Sequence, residues 1–401
     1  MSAHVLVLLE NEPYPHDRRV VQEAEALSAA GYRVTVLGPT GFGFNRREEM
    51  IDGIRVLRYR APPGGTGLLG YVREYGLAML RLGQLAARVG REDRVDLVLV
   101  CCPPDFLILL ALPFAWRGAR IVFDHHDPSP ELYERKFGYR GPLRRLLLVI
   151  ERFTFRRADV VLAVNDTCAE LARRRGGVPA DRVFVVRQGP DPERFFPVEP
   201  QPELRRGRRH LVVWIGMLTQ PARVARLVEA ADELVKRRGR DDIAFALVGP
   251  GDARESVREE VDRLGLADAV ELPGRVDDDL LRAYVATADV CVSVDERSEM
   301  NDLATTTKVL DYMAMGRPVV QFPLTEMARL CGDTTAYASD GDAGDLSDQL
   351  EALLADGERR RHLGVAARRR VLDGLMWPSQ VPRFLAAVET ALEGSSVRST
   401  R

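Results

Sequence analysis

Short apolar runs, each followed by a longer stretch with helical spacing, recur along this chain in two series, and that repeated alternation constrains the fold most. The first series puts strands at 4–9, 33–37, 54–58, 95–101, 119–123, 159–164 and 182–187. Amphipathic stretches at 17–30, 68–90, 104–116, 141–157 and 166–175 lie between them. Strands apolar on both faces and separated by helices belong to a parallel sheet covered on both sides. From Gly189 to Arg209 five prolines, at 190, 192, 197, 200 and 202, stop both helix and sheet, as a linker or hinge would. A second series follows, with strands at 210–215, 243–248, 269–272, 289–294 and 317–321. Helices are expected at 222–238, 253–264, 277–286 and 305–315, and in the tail at 343–355, 357–372 and 379–393. The expectation is an α/β protein of two doubly wound parallel-sheet domains. The boundaries fall at 1–190, a hinge over 191–209, 210–375, and a closing segment over 376–401. Ligands of such sheets bind at the carboxyl ends of the strands, so the site is expected in the cleft between the domains.

The charge balance narrows the partners. With 57 basic and 59 acidic residues, the net charge of −2 lacks the basic excess that nucleic acid demands. Five cysteines (101, 102, 168, 291 and 331) form no C-x-x-C pair and read as buried thiols of a reduced, cytoplasmic protein. No segment reaches the length of an apolar membrane span. The stretch 135–157 is basic and amphipathic; it reads as a solvated helix, with peripheral contact at the inner face of a membrane as the second reading. Nothing in the sequence speaks to the oligomeric state. Of the 57 basic residues only Lys136, Lys236 and Lys308 are lysines, which leaves 54 arginines. In so arginine-rich a chain a retained lysine stands out.

Motifs for other chemistries are absent. Gly38, Gly41 and Gly43, and likewise Gly249 and Gly251, miss the dinucleotide spacing, and no P-loop, nucleophile elbow or zinc-protease motif occurs. Asp277–Asp279 opens a predicted helix, where carboxylates cap amides, so no metal site is expected. The informative stretch is 299–320, EMNDLATTTKVLDYMAMGRPVV. Asn301 and Asp302, then Leu303, Ala304 and Thr305, precede a helix that carries Lys308 and, three residues on, Asp311. Amides near 303–306 at the helix N-terminus suit a diphosphate; Lys308 adds a point charge, and Asp311 can accept from ribose hydroxyls.

Asp311-Tyr312-Met313-Ala314-Met315-Gly316-Arg317-Pro318-Val319-Val320 resembles the donor-site signature of retaining nucleotide-sugar glycosyltransferases of family 4. That family has the GT-B fold, two Rossmann-like domains facing a cleft, with a C-terminal helix crossing back to the first domain. The resemblance implies that Asp311, in place of a glutamate, holds the donor ribose. The signature's first glutamate falls at Leu303, with Asn301 and Asp302 as stand-ins. Pro15–Val20, which contains Asp17 and Arg18, resembles the family's opening loop. Asp124-His125-His126-Asp127 resembles its H-D pair, whose histidine faces the donor sugar, and that role is carried to His126. Gln188-Gly189-Pro190-Asp191 resembles the N-G-x-D hinge. Gly216, with Arg223 seven residues on, resembles the diphosphate contacts, and Met217 replaces an arginine there. Arg275-Val276 resembles the loop that meets the nucleobase, and Trp377-Pro378 the segment crossing back.

The function so implied is retaining transfer of a sugar from a nucleotide-diphosphate sugar, UDP favoured and GDP the alternative, to an acceptor hydroxyl. Glycan, glycolipid or specialised-metabolite biosynthesis in a bacterium would be the setting. His126, Lys308 and Arg223 are the expected catalytic groups, no cofactor or metal is required, and the acceptor is unnamed. His125, Asp127, Asp17 and Arg18 are candidates for the acceptor side, although alternation after a strand lets only one of the two histidines face the cleft. A lone histidine after a strand more often packs or caps, and Asp17 has an ordinary reading as a helix cap. Three rivals are a nucleotide-sugar 2-epimerase of the same architecture, a sugar-phosphate or glycan phosphorylase, for which no extra lysine is present to hold a cofactor, and an inactive nucleotide-sugar-binding protein.

Overall fold

The computed structural model describes residues 2–62, 64, 67–137, 141–220 and 224–394. The chain forms two compact units: Met1–Gln188 with Ser379–Arg401, and Gly189–Pro378. In the first, eight strands run β1 (His4–Leu8), β2 (Arg33–Pro39), β3 (Glu48–Ile51), β4 (Ile54–Tyr59), β5 (Leu97–Cys101), β6 (Arg120–His125), β7 (Val160–Ala163) and β8 (Val183–Val185). Their order in the sheet is β3-β4-β2-β1-β5-β6-β7-β8, with every pairing parallel except β3 with β4. Leu6 and Leu8 of β1, Val98 and Val100 of β5 and Phe123 of β6 share one core with Ala78, Leu82, Phe114 and Phe155 of the covering helices. The closing helix Trp377–Glu393 belongs to this unit from Ser379 onward and buries Phe384, Ala387, Val388 and Ala391. Its Gln380 Oε1 accepts from the Arg187 amide at 3.1 Å.

The second unit has six strands, β9 (His210–Ile215), β10 (Ile243–Val248), β11 (Val270–Gly274), β12 (Val290–Ser293), β13 (Val319–Gln321) and β14 (Ala336–Tyr337). All pair in parallel, in the order β11-β10-β9-β12-β13-β14. Side chains of β9 alternate between two cores: Val212 and Trp214 face one, Leu211, Val213 and Ile215 the other. The sheet is therefore covered on both faces, as the continuous apolar strands require. Connections leave in opposite directions from β9, so a crevice opens at the carboxyl ends of β9 and β12.

Several local expectations change. Strand β3, EEMI, is polar and half-exposed along its length, so no apolar run announces it; β14 is two residues long. Helices Ser129–Phe137 and Thr325–Cys331 form where no element was expected. The expected helix 305–315 runs Thr307–Ala314, and a separate short helix, Glu299–Leu303, capped by Ser298, precedes it. The proline-dense segment expected as a linker or hinge is packed on the second unit. Phe195 is buried, Gln201 N donates to Thr287 Oγ1 at 2.8 Å, and Arg194 bonds Asp278 at 2.7 Å. With no sheet partner available, this backbone is held by side chains instead. Gly189 opens the segment because a Cβ there would lie 2.1 Å from the Leu375 carbonyl oxygen.

Candidate active site

Each unit carries part of the expected constellation. In the second, helix Thr307–Ala314 buries Val309, Leu310, Asp311, Tyr312, Met313 and Ala314. Ile215 N donates to Tyr312 Oη at 2.7 Å, which fixes the helix to the last residue of β9. Lys308, in the helix's first turn, extends over the Trp214 ring, 4.8 Å from its centroid, and reaches Asp295 Oδ2 at 2.9 Å. Asp295 lies two residues beyond β12, so the ammonium sits at the carboxyl ends of β9 and β12. Its side chain is 15% exposed, enough to meet a ligand while solvent screens it little. Asp311 follows three residues later and is buried.

Backbone approach in this region requires glycine. A Cβ on Gly249, at the end of β10, would lie 1.8 Å from the Gly216 carbonyl oxygen, and its φ of 146° disfavours any side chain. Gly216, at the end of β9, donates to Val248 O at 3.0 Å. Val276 packs against the core beside exposed Arg275. Asp277 caps the helix Asp278–Thr287 by accepting from Leu280 N at 2.8 Å, as an acidic triplet at a helix start predicts.

Other expected donor residues are engaged in structure. Asn301 Nδ2 donates to Glu296 O at 2.7 Å. Asp302 Oδ1 accepts from Thr325 N at 2.8 Å and Thr325 Oγ1 at 2.9 Å, holding the start of helix Thr325–Cys331. Both side chains thus hold loop structure around the helix start. Leu303, Ala304 and Thr305 are half-buried in the connection. The amides of Ala304 and Thr306 donate to Asn301 O and Met327 Sδ, and the helix itself begins at Thr307. Arg223 lies outside the described residues.

In the first unit, Asp17 caps helix Arg18–Ala29, accepting from the amides of Arg19 and Val20 at 3.0 and 3.1 Å. Arg18 beside it is half-buried. The next residue, Arg19, is fully buried and grips Asp124 of β6 through Nη2–Oδ1 at 2.6 Å and Nε–Oδ2 at 3.0 Å. His126 Nε2 meets the same Asp124 Oδ2. Glu23 closes the cluster with Oε1 3.1 Å from Arg19 Nε. Burial works against an ionised Asp124, but Arg19 and His126 hold it well below the usual carboxylate range. Burial and the Asp124 charge push Glu23 well above it. Glu23, Asp124 and His126 offer ligand atoms within 4.8 Å of one another, as a metal site would, yet the guanidinium already fills the cation's place.

His125 faces the other way. Its ring packs on Phe155 and Phe123, at 5.1 and 5.7 Å between centroids, with neither nitrogen hydrogen-bonded among the described residues. As an acceptor-side residue it is therefore misplaced: alternation sends it into the core. Asp127 is half-buried, and burial raises its carboxyl. Asp295 and Trp214 around Lys308 escaped the sequence reading, and so did the pairing of Arg19 and Glu23 with Asp124. Their one signal is a polar or aromatic residue at a strand end or on a helix's buried stripe.

Family comparisons fall on these two units in order. The family profile described as "Glycosyl transferase 4-like domain" matches residues 16–189, and "Glycosyl transferases group 1" matches 209–356. The chain is a family 4 glycosyltransferase. A 2-deoxystreptamine N-acetyl-D-glucosaminyltransferase of Streptomyces fradiae is 28% identical over 340 residues, 80% of this chain and 78% of that one. An alpha-D-kanosaminyltransferase of Streptomyces kanamyceticus is 27% identical over 221 residues, and this match spans 53% of the chain and 55% of the relative. Among solved structures, a sucrose-phosphate synthase from Thermosynechococcus elongatus superposes with a TM-score of 0.78 at 18% identity, over 98% of this chain and 100% of that one. Anabaena HepE in complex with UDP and glucose gives 0.72 at 15% identity, over 96% and 99%. The family 4 glycosyltransferase thus has the GT-B fold and is a hexosyltransferase using a nucleotide-sugar donor.

Proposed function

We propose that the enzyme moves a hexosyl group, with retention of anomeric configuration, from a UDP-sugar to an acceptor hydroxyl. The observation that carries this is Lys308, held by Asp295 and the Trp214 face beside a helix N-terminus at the carboxyl end of the sheet. Positive charge placed there stabilises the diphosphate as the anomeric C–O bond breaks and the electron pair departs with it. The acceptor oxygen forms the new bond on the same face and gives its proton to the leaving diphosphate. Asp311 is assigned to the ribose, the Arg275–Val276 loop and Gly216 to the nucleotide, and Arg223 to the diphosphate. His126 in the first unit is assigned to a sugar hydroxyl. UDP is favoured over GDP because solved structures of the same fold carry UDP, HepE among them. The two Streptomyces relatives favour a specialised-metabolite acceptor over an envelope glycan.

The test is nucleotide release and product anomer, by proton NMR, across UDP- and GDP-sugars with and without aminocyclitol, sugar and lipid acceptors. Acceptor-dependent release with an α-linked product from an α-linked donor is expected; release without any acceptor would favour an epimerase. A cytoplasmic enzyme touching the inner membrane face is part of this reading. Helix Pro142–Arg157 exposes Leu146 and Val149 at 52% and 65% beside exposed Arg145, Arg152 and Arg156, while its one acid, Glu151, turns inward to Arg175. Among the described residues no helix is long and apolar enough to cross a membrane.

A further inference from the structure

An arginine–aspartate pair buried in a core is complete once the guanidinium takes both carboxylate oxygens. Arg19 does this to Asp124, and its Nη1 also donates to Val186 O at 2.8 Å. Yet Asp124 Oδ2 has a further partner in His126 Nε2. Arg19, Glu23 and Asp124 are 2% exposed or less, whereas His126 is 15% exposed, so this ring is where the network meets solvent. The His126 amide donates to Cys102 Sγ at 3.2 Å, so backbone and ring are both tied. An aspartate saturated by arginine donors can only accept from the ring. The proton must then lie on Nε2, and Nδ1 is left as the accepting nitrogen.

We propose that Asp124, clamped by Arg19, is a positioning residue that fixes His126 as its Nε2–H tautomer, so that Nδ1 accepts a hydrogen bond from a substrate hydroxyl. This rests on the reading of His126 as a site residue.

The test begins on the wild-type enzyme, with nitrogen-15 NMR of the His126 imidazole above its titration. A proton on Nε2 is expected, and a proton on Nδ1 would overturn the proposal whether or not any variant folds. Asp124→Asn, checked for folding by circular dichroism, is expected to lower kcat about 10- to 100-fold, the usual scale for losing a ligand-orienting partner, with donor KM changed less. A folded Asp124→Asn enzyme with wild-type kcat and tautomer would also overturn it. Turnover unchanged in His126→Ala, with the Nε2 tautomer confirmed, would instead count against the functional reading of His126 alone.

Discussion

At the scale of single residues, neighbouring side chains of one type do opposite things. His126 meets a buried carboxylate, while His125 is dehydrated between two phenylalanines, where burial lowers its pKa to about 3. Its neutral form supplies stability that is present above the ordinary value of 6.5 and lost as pH falls from there towards 3. His125→Phe should therefore leave turnover intact and flatten the acid limb of stability. Near pH 5 the gain over wild type is about 2 kcal/mol, read as the difference in thermal midpoints across pH 5–8. The sequence carried this alternation but not which histidine faces the core, because both lie beyond the clear apolar run. Lys308 was legible for a different reason, as one of three lysines among 54 arginines. Its anchors, Asp295 and Trp214, were not, since they come close only when strands β9 and β12 pair.

Among elements, the strands with apolar runs and the longer helices follow directly from period, whereas the pieces around the site do not. Helix Glu299–Leu303 ends early because Ala304 turns extended, and the chain restarts at Thr307. No propensity separates 305 from 307 as a start, so the expected helix began two residues too early. Asp302 shows what fixes this junction: removing its carboxylate frees two Thr325 donors at once. Asp302→Ala should cost about 1–2 kcal/mol of stability in the second unit, the range for losing a helix cap, measured by denaturant unfolding. If Asp302 instead replaced the family's sugar-binding glutamate, the same variant would raise donor KM with stability unchanged. Gly249→Ala should be more severe, because a methyl group would collide with the Gly216 carbonyl and force the ends of β9 and β10 apart. Loss of donor binding or of soluble protein is the expected outcome, and a wild-type Kd would refute the close packing.

For the whole molecule, the double series of strands and helices made two parallel sheets readable, and the proline segment marked where the chain passes from one to the other. What that segment does was not readable. It is attached to the second unit through Phe195, Gln201 and Arg194, contacts that no local pattern encodes. The closing helix returns to the first unit and buries Phe384, Ala387, Val388 and Ala391 there. A chain ending at Pro378 should expose that surface and lose several kcal/mol of first-unit stability at about 25 cal/mol per Å² of apolar area. A truncated chain that stays soluble with an unchanged midpoint would contradict this docking. The central claim, that the second unit grips a nucleotide diphosphate through Lys308, is tested most directly by calorimetric titration of UDP into the wild type and Lys308→Ala. Losing a charge-assisted contact of about 1.5–3 kcal/mol predicts a Kd roughly 10- to 150-fold weaker in the variant. Equal affinities in the two proteins would contradict it.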